Sequence, residues 1–196
     1  MIKDKDDLAF YLAQDKKVMG IPASKKRPKL YGDELWKFTI ILRYHEYYSN
    51  CYKTKWDRMM LSLFSKLHHY YGIHLGFEIP INTFEYGMKL NHIGPIIVNP
   101  NVRIGAFCDI HVGVNIGQNL SPEEVPIIGE NVWIGPGVKI FGKIEIADGI
   151  MIGANSVVNK SFKEKDITIA GIPAKKIFDR SGGVTLSKEL YNIMYF

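Results

Sequence analysis

An aliphatic residue returns at every sixth position between Val98 and Val158. The series runs Val98, Ile104, Ile110, Ile116 and, after an interruption, Ile128, Ile134, Ile140, Ile146, Ile152, Val158. Glycine follows it directly at Gly105, Gly117, Gly129, Gly135 and Gly153. A second small or branched residue stands four places on, at Val102, Cys108, Val114, Val132, Val138, Ile144, Ile150 and Ser156. A period of six matches neither the α-helix nor a simple strand. It requires a chain that turns a corner every six residues. Three such sides close a triangular coil, and stacked coils form a parallel β-helix with the aliphatic residue inside. The fold class is therefore mainly β.

The flanks read differently. Residues 1–76 form an N-terminal helical region, with helices over 4–19, from Asp33 to about Asn50, and from Thr54 to Tyr71. Gly20 and Pro22 stop the first, Asp33 is the expected N-cap of the second, and Gly72 the expected end of the third. Their many aromatic residues fit a cap packed on the β-helix or on a neighbouring subunit. The β-helix occupies 77–178, and 179–196 is a C-terminal tail, either a short helix or loosely held. Two places break the register. Leu90 to Val98 spans eight residues, an insertion around Gly94-Pro95 that distorts one coil and exposes a side chain there. Gln118–Ile127 is a loop thrown out from a corner, and loops on rigid scaffolds often carry recognition.

The formal charge of +5 permits an anionic partner. The positive charge is concentrated in Lys25-Lys26-Arg27, the Lys53 to Arg58 region and Lys175-Lys176, with no Arg-rich groove pattern, so a phosphate-bearing small molecule is expected and nucleic acid is not. Cys51 and Cys108 make neither a disulfide framework nor a metal motif. No signal peptide or membrane span is readable, so the expected address is the cytoplasm. A β-helix wall is flat and makes a poor pocket alone. Prisms packed side by side as a homotrimer create grooves between subunits that suit a long, thin ligand.

The repeat resembles the hexapeptide-repeat acyltransferases, whose fold is a left-handed parallel β-helix. "LNHIGPIIV" (Leu90–Val98) resembles the catalytic stretch of serine acetyltransferases. "VWIGPGVKIFGKIEI" (Val132–Ile146), "IGANSVV" (Ile152–Val158) and "AGIPAKKI" (Ala170–Ile177) resemble their acetyl-CoA-binding coils and tail. "FEIPINT", "NHIGPIIVNP" and "SPEEVPIIG" look most like the members of that branch associated with surface-polysaccharide biosynthesis. The resemblance makes His92 the general base that takes the acceptor hydroxyl's proton; read alone, a single histidine is more readily a structural hydrogen-bonding group. It places Glu78 nearest the carboxylate that orients the base, at a spacing one residue short, against the reading of a plain solvent-facing glutamate.

The acceptor site departs from that pattern. Asn91 stands where the serine enzymes have an aspartate, and Glu124-Val125 where they have the Arg-His pair that holds the serine carboxylate. Both changes remove charge anchors for free serine. The expectation is therefore an acetyl-CoA-dependent O-acetyltransferase acting on a sugar or polysaccharide precursor. Serine O-acetylation is the alternative, and a non-catalytic β-helix assembly module a second. The resemblance places acetyl-CoA along Gly135, Pro136, Gly153 and Ala154. Pro136 lacks an N–H there, and Lys160, Lys175 and Lys176 are candidates to neutralise CoA phosphates. Trp133 and Phe141 read as wall residues between subunits. His92 and His111 alone do not make a three-histidine metal site, and no metal is expected.

Overall fold

The computed structural model describes residues 1–179. The expected tail, 179–196, lies outside the described residues except for its first position. Three helices lead: α1 (Lys5–Val18), α2 (Glu34–Cys51) and α3 (Lys55–Leu75). Asp4 caps α1 by accepting the Asp7 amide, and Thr54 with Asp57 forms a capping box on α3. Two of the expected signals act differently. Asp33 makes no side-chain cap on α2. Its carboxylate accepts from the Lys29 amide and pairs with Lys25 at 2.6 Å, which holds it below the usual carboxylate range. Nor does Gly72 end α3. The helix continues to Gly76, whose φ of 78° supplies the left-handed cap. Gly72 is small because a Cβ there would lie 2.8 Å from the Phe77 carbonyl oxygen.

The six-residue rhythm is a triangular coil. The first coil contains β1 (Phe77–Glu78), a bridge at Phe84 and β2 (Lys89–Leu90). The second contains β3 (Ile96–Val98), β4 (Arg103–Ile104) and β5 (Asp109–Ile110), and the third β6 (Asn115–Gly117), β7 (Ile127–Ile128) and β8 (Trp133–Ile134). The fourth contains β9 (Lys139–Phe141), β10 (Glu145–Ile146) and β11 (Met151–Ile152), and the fifth β12 (Val157–Val158), a bridge at Phe162 and β13 (Thr168–Gly171). An antiparallel strand, β14 (Ala174–Phe178), closes the end. Corresponding sides stack in parallel register into three walls. The first is β1-β3-β6-β9-β12, the second β4-β7-β10, and the third β2-β5-β8-β11-β13-β14.

The predicted inward residues fill the prism. All ten six-spaced aliphatics are at most 2 % exposed, and Cys108, Val138 and Ser156 are fully covered. Burial pushes the Cys108 thiol up to about 12, so it behaves as a small apolar filler. Ser156 spends its hydroxyl on the Gly153 carbonyl and accepts from the Gly171 amide.

A buried arginine bolts the helices to the first coil. Arg43 of α2 is 0 % exposed. It donates to Asp15 of α1, to Glu46, and to the carbonyls of Phe84 and Glu85. Asp15 accepts from the amides of Gly87 and Met88, and Glu46 from that of Asn82. The segment that leads into Lys89–His92 is thus held by all three charges.

Candidate active site

The corners between the third wall and the first lie one above another. They are Asn91–Pro95, His111–Gly113, Gly135–Gly137 and Gly153–Asn155 in successive coils, because β2, β5, β8 and β11 pair in register. At about 4.8 Å per coil, His92 lies ~14 Å along the edge from Ala154. One edge therefore carries Asn91, His92, His111, Gly135, Pro136, Gly153 and Ala154.

The eight-residue step makes the first of these corners wider than the rest. Gly94 adopts a φ of 143°, and a Cβ there would lie 2.4 Å from Val112 Cγ2. The Gly94 amide donates to the Leu75 carbonyl and the Pro95 carbonyl accepts from Gly113. Both ends of the turn are pinned, and His92 stands exposed on it.

Beside His92 is a polar patch. Lys89 and Asn91 flank the inward Leu90, and Asp109 and His111 flank the inward Ile110, so all four face out from the third wall. Lys89 Nζ lies 2.9 Å from Asp109 Oδ2. The Asn91 amide donates to Asp109 Oδ1 and sits 3.2 Å from His111 Nε2. The His92 and His111 rings are 6.4 Å apart. Partial burial lowers the His111 pKa; Asp109 opposes that, while Lys89 and His92 reinforce it. Trp133 of β8 packs its ring 4.8 Å from that of His111. It also lies over Gly135, where a Cβ would come within 2.8 Å of the indole.

The other sequence candidates divide. Glu78 is exposed on the outer face of the first wall, and among the described residues no hydrogen bond joins it to His92. Glu124 sits at a different corner, between the first and second walls, where it binds the amide of Leu120 in its own loop. There it lines an open groove with Asn119, Phe141 and Lys143. Lys160 is also at that corner, its ammonium 5.4 Å from the Phe162 ring. Lys175 pairs with Ala170 at the far end of the His92 edge, and Lys176 pairs with Glu164. Pro136, lacking a donor, offers a carbonyl that the Asn155 amide already uses.

Lys89, Asp109 and Trp133 escaped the sequence reading as site residues. Their signal was present: Lys89 and Asp109 are one coil of eighteen apart plus the two inserted residues.

The model of the bacterial transferase hexapeptide family, six repeats, matches residues 126–160. The chain is 36 % identical over 101 residues to a serine acetyltransferase of Buchnera aphidicola subsp. Schizaphis graminum, covering 50 % of this chain and 38 % of that protein. It is 34 % identical over 110 residues to the serine acetyltransferase of Synechococcus elongatus, covering 55 % and 44 %. A serine acetyltransferase solved in complex with CoA superposes with a TM-score of 0.65 at 26 % identity, over 88 % of this chain and 71 % of that one.

The resemblance to hexapeptide-repeat acyltransferases of the serine acetyltransferase-like branch therefore holds. The chain spans less than half the length of these two curated relatives. These likenesses overturn the expectation of a saccharide acceptor, because the relatives are serine acetyltransferases. Asn91 does not leave the patch without a carboxylate, since Asp109 touches it. Glu124 lies between β6 and β7, at a different corner of the prism from His92.

Proposed function

We propose that this chain is an acetyl-CoA-dependent acyltransferase that acetylates the hydroxyl of serine. The observation that carries the reading is the single edge that stacks His92 beneath Gly135, Pro136, Gly153 and Ala154. A pantetheine arm laid along that edge brings its thioester to the exposed imidazole. His92 accepts the serine hydroxyl proton as the oxygen attacks the thioester carbonyl, and returns it to the departing thiolate. In this reading Lys175, at the end of the same edge, neutralises the CoA phosphates. The left-handed sense of the coils, the division into a helical region (1–76) and a β-helix (77–178), a homotrimer and a cytoplasmic setting belong to the same reading. Among the described residues no helix is long and apolar enough to cross a membrane.

The test is thiol release from acetyl-CoA with and without serine. Release that depends on serine, and falls about 100-fold or more in His92→Ala, is the expected result. Serine-independent thiol release, or a fully active His92→Ala variant, refutes the proposal.

A further inference from the structure

The polar patch beside His92 contains an ion pair. Lys89 and Asp109 face each other across adjacent coils at 2.9 Å, with side chains 38 % and 19 % exposed. Asp109 does not depend on Lys89 for its orientation. Its second oxygen takes the Asn91 amide and lies 3.4 Å from His111 Nε2. The Lys89 ammonium makes no other hydrogen bond among the described residues. Lys89 and His92 are three residues apart across the start of the corner, which keeps their Cα atoms within ~10 Å. The flexible lysine stem shortens that gap from one side and the imidazole from the other.

We propose that Lys89 and Asp109 are the specificity-determining pair for an amino-acid zwitterion; this rests on the serine reading above. The substrate carboxylate pairs with Lys89, its ammonium with Asp109, and its hydroxyl points along the strand toward His92. Asn91 is a positioning residue that holds Asp109. The exchange is cheap in free energy. An exposed ion pair contributes little by itself, and binding replaces one such pair with two. The chemistry selects small amino acids with a side-chain hydroxyl over amino alcohols and hydroxy acids, because each of those leaves one member of the pair without a partner.

The experiment uses the full chain as wild type, Lys89→Met, Lys89→Arg and Asp109→Asn. Acceptors are serine, ethanolamine and 3-hydroxypropanoate. Wild type prefers serine to both analogues. Lys89→Met and Asp109→Asn each raise KM for serine on the order of tenfold, the loss of one ligand ion pair. KM for acetyl-CoA stays within about twofold, and Lys89→Arg restores most of the serine affinity. Asp109→Asn narrows the preference for serine over 3-hydroxypropanoate, and Lys89→Met that over ethanolamine. CoA binding by calorimetry shows that each variant is folded. Should Asp109→Asn fail that control, Lys89→Met decides alone. Serine turnover with KM unchanged in the folded variants overturns this inference and leaves the acetyltransferase reading standing. A wild-type protein that releases thiol without regard to serine overturns both.

Discussion

Replacing Arg43 by methionine tests how the helical cap is held. The guanidinium makes hydrogen bonds of 2.7 Å to Asp15, 2.9 Å to Glu46 and the Phe84 carbonyl, and 2.8 Å to the Glu85 carbonyl. Asp15 and Glu46 are 1 % and 2 % exposed. Methionine fills much of the volume but leaves two buried carboxylates with no cation. Asp15 keeps the Gly87 and Met88 amides, and Glu46 keeps only that of Asn82. Removing one partner from a buried charge network costs about 3–5 kcal/mol. For a chain of this size that lowers Tm by roughly 6–20 °C, measurable by calorimetry or far-ultraviolet circular dichroism. The triple variant Arg43→Met, Asp15→Asn, Glu46→Gln recovers part of the loss, since neutral amides cost less to bury. A Tm within about 2 °C of wild type for Arg43→Met refutes the reasoning. A triple variant no more stable than the single one refutes the assignment of the loss to unpaired charge.

Two other outcomes follow from single contacts. His45 and His68 meet Nδ1 to Nδ1 at 3.0 Å between α2 and α3. Burial lowers both, and with the charge of His45 and the more distant His69 it brings His68 down to about 4. The folded state thus holds these rings neutral while the unfolded chain protonates them near the ordinary 6.5. Their stabilisation is complete above that value and is lost as pH falls toward 4, to the extent of ~3 kcal/mol from His68. Urea unfolding at pH 7.5 and 4.5 reads it, and a His68→Phe variant with an unchanged pH dependence contradicts it. Gly94→Ala forces a side chain into a backbone of φ 143° and against Val112. It costs about 1–3 kcal/mol and lowers kcat by displacing His92; stability and kcat both equal to wild type contradict it.

What the sequence determined by itself is the coil. A six-residue repeat leaves few packings, because the same aliphatic position must be inward in every turn, and Ile110, Ile134 and Ile152 are stacked as the period requires. The widened corner was legible for the same reason: an eight-residue step in a strict register has to bulge. Helix ends were less legible. Gly72 and Gly76 are both plausible stops, and contact with Phe77, distant in character from any capping signal, explains the first. Tertiary structure alone decided the site. Which outward residues share a wall depends on adding two inserted residues to a coil of eighteen, and this sets Lys89 opposite Asp109 and Asn91 opposite His111. Asn91, read alone, is a lost charge; in the fold it is the residue that holds Asp109. Glu124, aligned to a serine anchor, lies at another corner of the prism. A linear motif fixes the residue type, but the charge a ligand meets is summed over neighbouring coils, and the stacking alone determines that sum.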